Sequence, residues 1–440
     1  MKIKLNELLI FFFTFLFASA CYCQQWQKNI APGIDYVHLK ISGSSGIVHV
    51  HILKLDLNNS KINIKPELAR GVIGNLEKTS DIAISNNAIA AVNGSFFEVR
   101  KKLHLPIGTM IIDGQVVNKS MLERAAIGIT KGKEIIFGIP KTKGYAANLE
   151  NRKSVPIWGV NRPRKKNEVV IYTNEYGEST RTNKFGKELI VGESGIVTGI
   201  SSGNSNIPKD GFVVSLHGWS RDFIAKTKVG DRIGLYYDLT DKWKEVDQAI
   251  TGGPLLIKEG EIVHEKSIID ERFKSEMLPP NSRTAIGLTK EKELLLVVAD
   301  KRFPVSAGVT YDEMARIMKE AGAVDAMGLD GGHASTMYIN GDVVNYPLTG
   351  TEGLVSNAII VTYDGWKLAS PPKVRYRYVY VYRPPSEGLI EALKNESGLT
   401  PTAYIPRPED FGMWGLYDIY NRVIRPLVPD ATGQQLSSRP

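Results

Sequence analysis

The segment Asp330-Gly331-Gly332-His333-Ala334-Ser335-Thr336 follows a run, Ala323 to Leu329, that is apolar except for Asp325. Two glycines after a strand let the backbone turn sharply and approach a ligand closely. Their N–H groups can face an anion. Asp330 places a carboxylate at that turn, and Ser335 and Thr336 add hydroxyls. The same residues suit an ordinary tight turn with an Asp cap, and spacing alone leaves both readings open.

Other stretches carry comparable chemistry. Asn93-Gly94-Ser95-Phe96-Phe97 ends a short apolar run and is followed by Glu98. An Asn at a strand end can bond a sugar hydroxyl while a Phe faces a ring, but a core aromatic pair beside a turn explains the residues equally simply. Thr251-Gly252-Gly253-Pro254 is another glycine turn before a strand. Arg124 and Arg283 each precede a predicted strand, where an Arg can clamp a phosphate through two nitrogens or form a surface ion pair. Asp300 closes the apolar run Leu294 to Ala299. His49 and His51 share one face of a strand, a candidate pair of metal ligands. No HExxH or cysteine pair completes a zinc site, no phosphate-binding GxxxxGK[ST] loop is present, and GxSxG with a triad is absent, which disfavours zinc proteases, kinases and α/β-hydrolases.

These residues need a scaffold, and the sequence predicts a strand-rich α+β fold: a mixed sheet, a few helices and several β-hairpins. GTMIIDGQVVN (Gly108 to Asn118), GPLLIKEGEIVH (Gly253 to His264) and STMYINGDVVN (Ser335 to Asn345) each read as strand, two-residue turn and strand. Asp113-Gly114 and Asn340-Gly341 suit a type I′ turn; Glu259-Gly260 suits it less well. The first two share a sequel, RAAIGIT from Arg124 and RTAIGLT from Arg283, which points to duplication or a repeated structural role. Leu294 to Ala299 reads as a buried strand. Thr310 and Glu313 form a capping box, Met314, Ile317, Met318 and Ala321 line one helix face, and Gly322 ends the helix. With the strand that leads to Asp330 this is a strand-helix-strand unit of the parallel crossover type. Asp300 and Asp330 would then stand at the carboxyl ends of its strands, on the edge where open α/β sheets collect ligands. A short helix is expected from Thr79 or Ser80 through Ser85.

Composition bounds the rest. The 440 residues are 42% hydrophobic, enough for a sizeable core. Met1 to Lys4 carry two lysines, Leu8 to Phe17 are apolar, and Ala18-Ser19-Ala20 resembles a cleavage site, so residues 1–23 read as a signal peptide. The chain is expected to be exported, periplasmic or secreted. Cys21 leaves a lipid anchor on the outer surface open. Cys21 and Cys23 are the only cysteines, so no disulfide framework is expected in the body. No later segment is apolar enough to be transmembrane. The net charge of +8 is spread along the chain. Its densest run, Arg162 to Lys166, lacks interleaved aromatics, so no nucleic-acid partner is expected. Residues 24–365 form the predicted main domain. From Trp366 the texture shifts to prolines and an aromatic run, and residues 366–440 read as an extension of unassigned role.

Taken in order, the motifs resemble the phosphodiester glycosidase family: Asn93 to Phe97, Asn161 to Arg164, Tyr172-Thr173, Thr251 to Leu255, Arg283 to Gly287, Asp330-Gly331-Gly332 and Val355-Ser356-Asn357. The family usually has glycine at the positions of Ser95 and His333, and often Asp-Gly-Arg where Asp300-Lys301-Arg302 stands. The resemblance implies hydrolysis of the C1–O bond of a sugar phosphodiester. Asp330 is then the base or nucleophile, with Asp300 or Glu98 as second carboxylate. Arg283 binds phosphate, assisted by the amides of Gly331 and Gly332; Asn93 and Ser335 hold sugar hydroxyls. Gly94, Arg124, Gly252, Gly253, His333, Thr336 and Asn357 complete the expected substrate site. No cofactor is required as far as these residues show; calcium held by carboxylates is left open, with no EF-hand-type loop present.

Overall fold

All three glycine-ended turns form hairpins. Thr109–Ile112 pairs with Gln115–Lys119, Leu255–Lys258 with Glu261–Ile262, and Met337–Ile339 with Asp342–Val343. Both central residues have positive φ in each turn, including Glu259 at 51° before Gly260 at 85°. Neighbouring chain holds that less favourable turn: the Gly260 N–H donates to the Val324 carbonyl at 2.7 Å, and the Glu259 N–H to the Asp325 carboxylate at 3.3 Å. The second hairpin stops at Ile262, and a helix, His264–Asp270, follows it. In this computed structural model the described residues are 24–367, apart from 100–102, 121 and 240. The expected signal peptide, Cys21 and the extension beyond residue 367 lie outside them.

The hairpins belong to larger sheets, and the architecture is α+β as the patterning predicts. The eight-stranded sheet runs Gln24–Ala31, Ile34–Gly43, Gly46–Asp56, Glu293–Ala299, Arg283–Thr289, Ala323–Gly328, Leu255–Lys258, Glu261–Ile262. A ten-stranded sheet holds the first hairpin and most strands between residues 109 and 251; its one parallel pairing is Gly159–Val160 with Val169–Thr173. A five-stranded sheet places Ala90–Asn93 between Met337–Ile339 and Asn357–Tyr363. One core joins the three sheets through Leu53, Val92, Ile127, Ile250, Ile286 and Met327, all buried. Among the described residues no helix is long and apolar enough to cross a membrane.

The strand-helix-strand unit forms with one correction. Thr310 caps the helix Tyr311–Glu320 in a capping box with Glu313, and Met314, Ile317 and Met318 are buried against the sheet. The flanking strands, Glu293–Ala299 and Ala323–Gly328, run parallel but do not touch. Arg283–Thr289 lies between them and pairs antiparallel with both. Its own RTAIGLT run is buried at nearly every position, which suits a central strand. Asp300 and Asp330 still leave the same edge of the sheet, on either side of Arg283.

Candidate active site

Asp330 is held by its backbone. Its N–H donates to the Gly94 carbonyl at 3.1 Å, and its own carbonyl accepts from Asn93 Nδ2 at 2.7 Å. Leu329 N–H bonds Thr284 O at 2.8 Å and Gly332 N–H bonds Ser282 O at 2.7 Å, which ties the turn to the Arg283 strand on both sides. A Cβ at Gly331 would sit 2.8 Å from Ser282 O, so this close approach requires glycine. The Asp330 side chain is half-buried, and one carboxylate oxygen accepts from the Gly331 N–H at 2.9 Å. Burial pushes its pKa up to about 7; the Gly331 N–H and the positive charge of Arg124 hold it from rising further.

Arg124 is the cation that acts on Asp330. It is buried, its Nε donates to the Glu271 carbonyl at 3.3 Å, and its guanidinium lies 4.0 Å from the Phe273 ring centroid and 5.2 Å from that of Phe96. Glu271 fixes the surroundings: its carboxylate accepts from Ala125 N at 2.9 Å, from Leu255 N at 2.9 Å and from Ser267 Oγ. Burial lowers the Arg124 pKa, while Glu271, Tyr311 and Asp330 favour its charge. Tyr311, in the first turn of its helix, feels Arg283, Asp330 and Arg124 together; its phenol pKa is raised chiefly by burial.

Arg283 is placed differently from expectation. Its Nε donates to Val309 O at 2.9 Å, and one terminal nitrogen donates to Met277, Leu278 and Pro279 carbonyls at 2.9–3.1 Å. Its guanidinium lies 3.6 Å from the Tyr311 ring centroid. Two of its three nitrogens are therefore committed to backbone carbonyls. Its Cα nonetheless adjoins Gly331, so it stands beside Asp330 as a brace.

Several other expected substrate contacts are braces too. Asn93 is fully buried: its Oδ1 accepts from Thr284 Oγ1 at 2.7 Å and from Thr336 N at 3.1 Å, while Nδ2 holds Asp330 O. Ser335 is buried with its Oγ 3.2 Å from Thr284 Oγ1. Asn357 accepts from Ser95 N and donates to Ser95 Oγ and Ser356 Oγ, each at 2.8 Å. Gly252 N and Gly253 N are bonded to Ala125 O and Gly328 O, and the amides of Gly331 and Gly332 have the intramolecular acceptors given above. With their polar atoms engaged in the fold, these groups position the site. Thr336 is buried, and its Oγ1 has no hydrogen-bond partner. His333 is exposed, in the short turn Gly332–Ala334.

Gly94 is fixed by space. A Cβ there would lie 2.0 Å from Asn357 Oδ1 and 2.8 Å from Ile250 Cδ1. Three hydrogen bonds hold Asn357, so it cannot swing aside. Gly94→Ala is expected to lose about 2 kcal/mol or more of stability, as overpacked cores do. Urea unfolding midpoints check this; an unchanged midpoint contradicts the packing argument.

Asp300 is a buried anchor. Its carboxylate accepts from His51 Nε2, Asn345 Nδ2 and Tyr346 N, all at 2.9 Å. Asn345 also donates to Ser335 O at 3.2 Å, so Asp300 supports the chain that follows Asp330. His51 Nδ1 meets Tyr36 OH at 2.7 Å and His49 Nδ1 meets His38 Nε2 at 2.8 Å, so both His51 ring nitrogens and one of His49's lie within hydrogen bonds. Among the described residues no group of three or more His, Asp, Glu or Cys side chains converges as a metal site. Glu98 lines a cavity of about 630 Å³ together with Arg162 and Lys165. Arg124 lines a smaller one, about 200 Å³, with Lys119 and Thr251. Tyr311, Phe273 and Glu271 carried no motif. The one available signal was Tyr311's place just after the capping Thr310, in the loop that joins Asp300 to the helix.

Residues 186–362 match the phosphodiester glycosidase family model. Four of the seven ordered motifs, from Thr251 to Asn357, fall inside that segment. The match lies in the family that the ordered motifs indicated, and it supports the resemblance of this part of the chain to the phosphodiester glycosidases. A mouse relative, N-acetylglucosamine-1-phosphodiester alpha-N-acetylglucosaminidase, is 26% identical over 150 residues, which are 34% of this chain and 27% of that protein. The match thus spans about a quarter of that relative's length. Among solved structures, a Synechocystis protein described as hypothetical has a TM-score of 0.67 at 23% identity, covering 77% of this chain and 64% of that one. A presumed exported protein of Burkholderia pseudomallei has a TM-score of 0.60 at 21% identity, covering 72% and 74%. At these identities the likeness is one of fold.

Proposed function

We propose that the chain hydrolyses a sugar-1-phosphodiester at the C1–O bond. The observation that carries this reading is Asp330 on its glycine turn, with its pKa pushed up to about 7 and within reach of the charge of the buried Arg124. Near neutral pH a substantial fraction of Asp330 is ionised. In that form it takes a proton from water as the oxygen bonds C1, or it attacks C1 itself to give a glycosyl ester that water then hydrolyses, releasing the sugar and restoring the carboxylate. The C1–O bond breaks, and the electron pair leaves on a phosphate monoester. Such a leaving group is a weak base and needs little protonation, so stabilising its charge matters more. Arg124 supplies that charge. Arg283, with two nitrogens bonded to backbone carbonyls, braces Tyr311 and the Asp330 turn in this reading.

The signal-peptide pattern of residues 1–23 supports export, with residues 24–365 as the catalytic domain and 366–440 as an extension. The test is release from a panel of sugar-1-phosphodiesters, including N-acetylglucosamine-1-phospho compounds, in isotopically labelled water. The expected result is label on sugar C1. Label on phosphate means P–O cleavage and overturns the reading, as does binding of the whole panel without turnover. Parallel runs with added calcium and with EDTA assign or remove a metal requirement.

A further inference from the structure

The larger cavity adjoins the Asp330 site through continuous chain. From Asn93 and Gly94, which hold Asp330, the backbone passes Phe96, whose ring lies against Arg124. It then runs alongside residues 105–107: Ile107 N bonds Phe96 O at 2.8 Å and Glu98 N bonds Leu105 O at 3.0 Å. Those residues form a wall of the 630 Å³ cavity, which shares Ser120 and Leu122 with the 200 Å³ cavity of Arg124. A group bound against Arg124 and Lys119 thus has the larger cavity next to it.

The walls of that larger cavity are Leu103, Leu105, Pro106, Ile107, Leu122 and Pro163. Among its polar wall groups Asn118, Ser120 and Arg162 have partners within the fold, and Glu98 and Lys165 stand at the same wall. Asn118 Nδ2 donates to Pro106 O at 3.1 Å and to Gly108 O at 2.7 Å, and Ser120 Oγ accepts from Gly108 N at 2.8 Å. Arg162 is paired with Glu168 at 2.7 Å. A second sugar needs several convergent donors and acceptors, whereas an apolar chain needs the wall that is present. Along the two cavities Arg124, Lys119 and Lys165 outnumber the carboxylates Glu98 and Glu123, and the positive excess complements a phosphate head on that chain.

We infer that the larger cavity is the aglycone subsite and takes an apolar chain esterified to the sugar phosphate. The inference rests on the proposed hydrolysis and extends it to the leaving group. It is tested with methyl, butyl and hexyl esters of N-acetylglucosamine-1-phosphate, and separately by calorimetry with methyl phosphate and hexyl phosphate, which needs no turnover. Each added methylene is expected to raise kcat/KM and phosphate affinity about three- to fourfold. Leu103→Asn is expected to shrink the methyl-to-hexyl gain at least about fivefold. Turnover of all esters at one rate, or of a mannosyl ester in preference to the hexyl ester, overturns the subsite and leaves the hydrolysis standing. Chain-length-dependent binding with no turnover of any ester overturns the hydrolysis and leaves the subsite standing. Equal binding of methyl and hexyl phosphate overturns the subsite on its own.

Discussion

Asp330→Asn loses sugar-1-phosphodiester turnover by about a thousandfold, within the range for a lost general base, while its Tm at pH 8 equals or exceeds that of the unaltered chain. The two outcomes share one cause. Burial raises the Asp330 pKa from 3.8 to about 7 in the folded protein. A carboxyl group raised in this way favours the folded state below pH 4, where it is protonated in both states. That advantage declines as pH rises and is lost once pH passes about 7, since the folded state then holds an ionised carboxylate in a poor environment. Asn carries no such penalty, so its relative gain in Tm is largest at pH 8 and disappears near pH 4. Thermal melts at both pH values and initial rates on a turned-over ester check the pair. A drop of several degrees at pH 8, or turnover within tenfold of normal, defeats the assignment. A residue whose removal stabilises the fold but ends the reaction is one retained for chemistry.

Local rules made much of the scaffold legible. The Thr310–Glu313 box, the buried face of the following helix and all three hairpins lie in short stretches whose residue types dictate the geometry. Glu259 shows their limit: propensity disfavours its turn, and hydrogen bonds to Val324 and Asp325, some 65 residues away, impose it. The split crossover was hidden for a similar reason. Nothing in Leu294 to Ala299 states that its neighbours are Gly46–Asp56 and Arg283–Thr289. At the site, residue type suggested which groups could act, but their occupancy was invisible. Asn93 and Asn357 have amides suited to sugars, and every one of those amides is engaged inside the protein. Asp300 ends its strand on the same edge as Asp330, yet three donors from the fold close on its carboxylate. Tyr311 and Glu271 are recognised only because distant chain folds around them.

Arg124 and Arg283 are the sharpest case, since each opens the same Arg-x-Ala-Ile-Gly sequence and only their partners tell them apart. Arg124→Met is expected to lower kcat/KM by about a hundred- to a thousandfold, the effect of removing one preorganised electrostatic group. It also moves the acid limb of the pH–rate profile upward, because the Arg124 charge lowers the Asp330 pKa; without it the carboxylate ionises at higher pH. Arg283→Met is expected to act on the fold instead. It leaves one buried and three part-buried carbonyls without this donor, a loss of roughly 2–4 kcal/mol, while the acid limb of the surviving protein stays where it was. Arg124 and Arg283 each lie against aromatic rings, so loss of cation–π contact is common to both variants and cannot produce the contrast. The pH–rate profile therefore separates the roles even if both variants melt early. If the limb moves in Arg283→Met and holds still in Arg124→Met, the two arginines exchange functions and the phosphate belongs on the Tyr311 side of the cleft.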